Sequence, residues 1–130
     1  MAYTIKEAAE QSGLTVHTLR YYEQEGLLPV LKRDERGNRV FDLGDMEWLH
    51  FICCLRDTGM PVARVKHFAE LAHQGEHTMR ERLQILQEHK LNTERKVEEM
   101  SGFLEKITHK TAWYESLVRE KEGAAAAKRG

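Results

Sequence analysis

TIKEAAEQSGLTVHTLRYYEQEGLLP, residues 4–29, is the stretch that decides the fold. Thr4 and Glu7 stand three apart at the head of an apolar face made by Ile5, Ala8 and Ala9. That spacing predicts a capping box, in which each side chain satisfies backbone at a helix start. Gly13 ends this helix. Thr15 is placed to cap a second one, with Leu19 and Tyr22 on its inner face and Gly26 as its stop. Two short helices joined by a tight glycine-containing turn predict a helix-turn-helix.

The residues that follow extend the pattern. Leu31 to Phe41 reads as a short hairpin with Gly37-Asn38 supplying the turn, and a hairpin after a helix-turn-helix is a wing. Asp42 or Gly44 then opens a helix carrying Trp48, Phe51, Ile52 and Leu55 at helical spacing, closed by Gly59. Pro61 suits the first turn of the next helix, whose predicted buried stripe is Val62, Val65, Phe68, Ala69 and Ala72. From Thr78, in a second capping box with Glu81, alternating three-and-four spacing is sustained. Met79, Leu83, Leu86, Lys90, Thr93, Val97, Met100, Leu104, Ile107, Thr111, Tyr114 and Val118 occupy the a and d positions of a coiled coil. Such a stripe needs cover, and a second copy of the chain is the economical partner. The expected organisation is a DNA-binding domain over 1–75, a coiled-coil dimerisation helix over 76–122 and a disordered tail over 123–130.

Composition narrows the classes. The 130 residues include 20 basic and 21 acidic side chains, a net charge of −1, so a polybasic nucleic-acid coat is excluded. Any DNA contact must come from placement. The second helix presents Thr15, His17, Thr18, Arg20 and Tyr21. The Arg20 guanidinium suits phosphate or guanine, and the Tyr21 hydroxyl can donate to phosphate. Arg36 and Arg39 flank the wing tip, with Asn38 between them. No apolar run approaches a membrane span, and no secretory pattern opens the chain. Two adjacent cysteines cannot make a disulfide framework, so a reducing cytoplasm, in association with the nucleoid, is the expected location.

Four motifs in one order carry a resemblance. Leu19-Arg20-Tyr21-Tyr22-Glu23, Gly26-Leu27-Leu28-Pro29, Arg36-Gly37-Asn38-Arg39-Val40-Phe41 and Gly59-Met60-Pro61 closely resemble the MerR family of bacterial transcription regulators, over residues 3–75. The resemblance implies a mainly α fold: a winged helix-turn-helix followed by a long dimerisation helix paired as an antiparallel coiled coil. It implies DNA contacts from the residues matching Arg20, Tyr21, Arg36 and Arg39. It also implies a pseudo-palindromic operator in double-stranded promoter DNA, between promoter elements too far apart for productive RNA polymerase binding. Activation would then distort the DNA to realign them. Phe41 stands where many relatives have tyrosine, so no phosphate contact is carried onto it.

Trp48-Leu49-His50-Phe51-Ile52-Cys53-Cys54-Leu55-Arg56 resembles the short thiol-based subgroup of that family (NmlR/AdhR-like), which senses aldehydes and other electrophiles. Alignment on Trp48, Phe51, Ile52 and Arg56 places the sensing thiol at Cys54, with Cys53 as second choice and His50 one turn earlier as support. The competing reading makes both cysteines packing residues, with a non-covalent small molecule as signal. A cysteine enzyme would use His50 as base, but no oxyanion-hole motif accompanies the pair, and no catalytic residue is assigned. Neither metal nor cofactor is expected. His73-Gln74-Gly75-Glu76-His77 has the spacing of an inverted zinc motif, yet Gly75 and Thr78 put it in a loop between helices. The family's metal sensors carry cysteines at and beyond the start of the dimerisation helix, whereas here none follows position 54. The length also leaves no room for the family's large drug-binding domain.

Overall fold

Thr4 caps the first helix as its spacing predicts. In the computed structural model, which describes residues 2–129, the Glu7 amide donates to Thr4 Oγ1 at 3.1 Å and the Thr4 amide to Glu7 Oε1 at 3.0 Å. Helix α1 (Ile5–Ser12) follows, then α2 (Val16–Gln24), capped by Thr15. Gly26 ends α2 with φ +80, a left-handed conformation that disfavours a side chain. Its amide bonds the Glu23 carbonyl while that of Leu27 bonds Tyr22, which turns the fully buried Leu27 into the core.

The wing is a three-stranded antiparallel sheet, one strand more than the hairpin reading predicts. β1 (Tyr3–Thr4) pairs with β3 (Arg39–Phe41), and β3 pairs with β2 (Lys32–Arg33). Tyr3 stands opposite Phe41, and Lys32 opposite Val40. Two residues are too short to leave a period-2 signal. The turn also begins earlier than Gly37-Asn38. Asp34 and Asn38 close the loop, with the Gly37 amide on the Asp34 carbonyl and Gly37 at φ +82, a type I turn followed by a glycine bulge.

Helix α3 (Leu43–Asp57) is capped by Asp42, reciprocally with Asp45 at 2.7 and 3.0 Å. The Asp45 amide holds the Asp42 carboxyl below the usual carboxylate range, whereas burial pushes the Asp45 carboxyl up. The buried face of α3 is Met46, Leu49, Ile52 and Leu55. Trp48 and Phe51, expected inside, lie beside it because α3 packs two ways. Trp48 stacks on Phe68 at 5.9 Å and donates through Nε1 to the Leu27 carbonyl at 2.8 Å, and Phe51 tilts against Phe68 at its edge. Helix α4 (Val62–Gln74) buries Val65, Phe68, Ala69 and Leu71, leaving Val62 and Ala72 half-buried.

Helix α5 (Met79–Arg129) runs for 51 residues. Thr78 does not cap it through Glu81. It lies buried in a 3-10 turn (Glu76–Thr78) that leads straight into α5, and its hydroxyl contacts the Leu71 and Gly75 carbonyls while accepting from Arg82. Glu81 instead meets His67 at 3.4 Å. The chain divides into Met1–His89 and Lys90–Gly130. The first unit passes residue 75 because Ile85 is buried in the core and Leu86 packs on it. Helix continues through residues 123–129, in place of the expected disordered tail, since four successive alanines are the best helix formers. Residue 130 lies outside the described residues. Among those described, no helix is long and apolar enough to cross a membrane.

Candidate nucleic-acid interface

Sinking Leu19 and Tyr22 into the core turns the opposite face of α2 outward. Thr15, His17, Arg20 and Tyr21 are exposed there, and Thr18 is half-buried. The two threonines serve the helix start: the Thr18 amide donates to Thr15 Oγ1 at 3.0 Å, and the two hydroxyls meet at 2.9 Å. Arg20 and Tyr21 stand further along, where an extended guanidinium and a phenol reach outward. A helix with donors of this reach on its outer face has the dimensions to enter a major groove.

The wing tip is built from its own acidic residue. Asp34 Oδ1 accepts from the amides of Arg36 and Asn38, both at 2.9 Å, and so holds the loop in one shape. Arg36 and Asn38 are exposed at that tip. Arg33 is a basic wing residue outside the set that the sequence singles out. Its guanidinium donates to the Gly37 carbonyl at 2.9 Å, and its place beside Lys32 at the head of the unbroken charged run 32–36 is the signal that marks it.

Arg39 differs from Arg36. Its Nε donates to Glu23 Oε1, and both side chains are mostly covered. The pair fastens the base of the wing to the last turn of α2. Glu23→Gln is therefore expected to lower stability by about 1 kcal/mol, and to speed hydrogen exchange at the Val40 amide. Urea melts and exchange rates identical to those of the parent chain would show that the pair fastens nothing.

The two cysteines occupy different surroundings on α3. Cys54 is exposed and Cys53 half-buried, and burial together with the Asp57 carboxylate pushes the Cys53 thiol up. His50, one turn before Cys54, is exposed as well. Arg56 does not turn toward Cys54: it donates to the Met60 carbonyl at 2.7 Å and closes the end of α3. A contact that sequence alone does not suggest joins α3 to α5. Thr58 Oγ1 lies 2.6 Å from the Cys54 carbonyl oxygen and 2.7 Å from His89 Nε2. His73 lies in the last turn of α4 and His77 sits in the 3-10 turn beyond Gly75. Among the described residues, no three side chains gather as a metal site.

Comparison with known proteins places this architecture. A model of MerR HTH family regulatory proteins matches residues 3–71, and a MerR DNA-binding model matches residues 46–109. An uncharacterized HTH-type transcriptional regulator of Haemophilus influenzae is 40% identical over 115 residues, 88% of this chain and 85% of that protein. The HTH-type transcriptional regulator AdhR of Bacillus subtilis is 40% identical over 82 residues, 63% of this chain and 59% of that one. The crystal structure of HiNmlR, a MerR family regulator lacking the sensor domain, bound to promoter DNA, aligns with a TM-score of 0.81. The two are 40% identical, and the alignment covers 89% of this chain and 92% of HiNmlR.

Proposed function

This chain belongs to the MerR family of DNA-binding transcription regulators, and from that premise we propose that it acts as a homodimer on a pseudo-palindromic promoter operator and switches transcription through Cys54. One observation carries the DNA half of this reading. α2 exposes Arg20 and Tyr21 on its polar outer face, and the wing tip exposes Arg36, in a chain 40% identical to HiNmlR, whose structure holds promoter DNA. The dimer is supported by α5, whose a and d residues Met79, Leu83, Val97, Met100, Leu104, Ile107, Tyr114 and Val118 are exposed in the single chain. Two copies present two recognition helices to two half-sites, and RNA polymerase is the second partner. Straining the operator holds the promoter in poor geometry, and the activated dimer redistributes that strain.

Exposure favours Cys54 over Cys53 as the sensing thiol. The Cys54 thiolate adds through Sγ to an aldehyde carbonyl carbon. The carbonyl π pair moves to oxygen, which takes a proton from water, and a hemithioacetal results with no change of oxidation state. The adduct sits one turn before Thr58, whose hydroxyl reaches His89 on α5, so the modified helix is tied to the dimerisation helix. The enzyme reading finds less support. His50 and Cys54 are both exposed on a helix surface, a setting that neither encloses a substrate nor holds an oxyanion.

Cys54→Ser is expected to retain operator binding and basal transcription but to lose induction by formaldehyde or methylglyoxal. Cys53→Ser is expected to keep most of the response. A promoter–reporter strain treated with either aldehyde reads both. If Cys54→Ser responds as the parent does, the thiol-sensor assignment is wrong and the signal does not pass through Cys54.

A further inference from the structure

Resting on Cys54 as the sensing thiol, we propose that His89 is the positioning residue that carries a change there to α5. It does so by donating from Nε2 to the Thr58 hydroxyl. Counting protons fixes the donor. Thr58 Oγ1 stands 2.6 Å from the Cys54 carbonyl oxygen and 3.2 Å from that of Leu55. A carbonyl only accepts, so the single hydroxyl proton goes to that side. His89 Nε2, 2.7 Å from the same hydroxyl oxygen, then brings a proton of its own. The neutral Nε2–H tautomer and the imidazolium both satisfy this, whereas the Nδ1–H tautomer sets two lone pairs against each other.

Both sides of this joint are stiff. The Thr58 amide also donates to the Cys54 carbonyl at 3.0 Å, and the Met60 amide to the Leu55 carbonyl at 2.9 Å. With Arg56 donating to the Met60 carbonyl, a displacement of the Cys54 backbone is not absorbed before it reaches Thr58. On α5, Ile85 is buried one turn before His89. Thr58 and His89 are half-buried, while the ties from α5 to α4, Glu81–His67 and Glu88–Arg64, join exposed side chains. Exposed pairs are screened by water and contribute little, so the half-buried contact carries more of the connection.

An adduct at Cys54 lands on the face of this joint, because residues four apart on a helix are neighbours, as Cys54 and Thr58 are. Net addition of the Cys54 thiol across the formaldehyde C=O bond forms S–C and O–H bonds. It breaks the S–H bond and the C=O π bond, and leaves –S–CH2–OH. A new donor and acceptor then stand one turn from a hydroxyl whose proton is already committed to a carbonyl. The end of α3 shifts to accommodate them, and His89 passes the shift to α5.

The test separates the thiol chemistry from its readout, using the full chain and the promoter–reporter strain. His89→Leu is expected to bind operator and to hold basal transcription as the parent does. Formaldehyde should protect its Cys54 from iodoacetamide to the parent's extent, read by peptide mass. Induction by formaldehyde should nonetheless fall at least about fivefold, the lower end of coupling between two sites. His89→Gln, whose amide nitrogen donates from nearly the position of Nε2, is expected to restore most of the response. Thr58→Ser should respond as the parent does, and Thr58→Val as His89→Leu does. Should His89→Leu fail to bind operator, the two Thr58 variants decide alone. Parent-like induction in His89→Leu or Thr58→Val, with Cys54→Ser uninducible, overturns the proposal and leaves the sensor reading standing. A loss in His89→Gln as complete as in His89→Leu overturns the donated hydrogen bond as the carrier. Constitutive transcription in His89→Leu overturns the proposal too, because the joint would then restrain the switch rather than carry its signal. If Cys54→Ser is induced as the parent is, the sensor reading falls and this proposal with it.

Discussion

Phe41→Ala is expected to destabilise the fold by about 3–5 kcal/mol, the range for emptying a fully buried aromatic site. Phe41 has no exposed surface. It is the last residue of β3, stands opposite Tyr3 of β1, and immediately precedes the Asp42 cap of α3. Its removal opens a void where sheet, α1 and α3 meet. A loss of that size is a large share of the roughly 5–15 kcal/mol that holds a domain together. Urea titration followed by far-ultraviolet circular dichroism should show the midpoint fall with a similar slope. Operator affinity should fall with it, since the wing and the base of α3 share this anchor. A midpoint within the error of the parent would mean that the site repacks.

Arg20→Ala should leave the urea midpoint unchanged and lower operator affinity about 10- to 100-fold. Arg20 is exposed, while its neighbour Leu19 and nearby Tyr22 carry the packing of α2. A guanidinium bidentate to guanine is worth about 1–3 kcal/mol of discrimination, and its loss relaxes the preference at one base pair. If the guanidinium instead neutralises a phosphate, its removal makes the salt dependence of log K shallower by about 0.9. Anisotropy titrations against the operator and single-base variants, over a potassium chloride series, separate the two. Parent-like affinity and slope together would remove α2 as the recognition helix.

Helix starts and stops were legible because each is a local chemical event. Thr4 with Glu7, Thr15, Asp42 and Gly26 act within a few residues of themselves, and a sequence records such spacing directly. Their arrangement in a winged helix-turn-helix also followed from order alone. What escaped depends on distant partners. The β1 strand exists because Phe41 and Val40 offer it an edge. Thr78 reads as a cap until Leu71 and Gly75 supply carbonyls for its hydroxyl. Trp48 and Phe51 fit the apolar period of α3, yet Met46 and Leu49 took the core, since α3 answers to α1 on one side and α4 on the other. Among the candidate site residues, exposure of Arg20, Tyr21 and Arg36 was foreseeable from pattern, whereas the difference in exposure between Cys53 and Cys54 came from the structure. The engagement of Arg39 with Glu23 was not foreseeable, because sixteen residues separate them in sequence.

The Arg39–Glu23 pair bears on how such a protein finds one promoter in a chromosome. Affinity for random DNA grows with the number of cations that displace condensed counterions. Here acidic groups stand beside several basic ones: Glu23 at Arg39, Asp42 at Lys32, and Glu25 at Lys66. Cations already paired with carboxylates displace fewer counterions from a phosphate backbone, so these three pairs lower the charge-driven part of any affinity for arbitrary sequence.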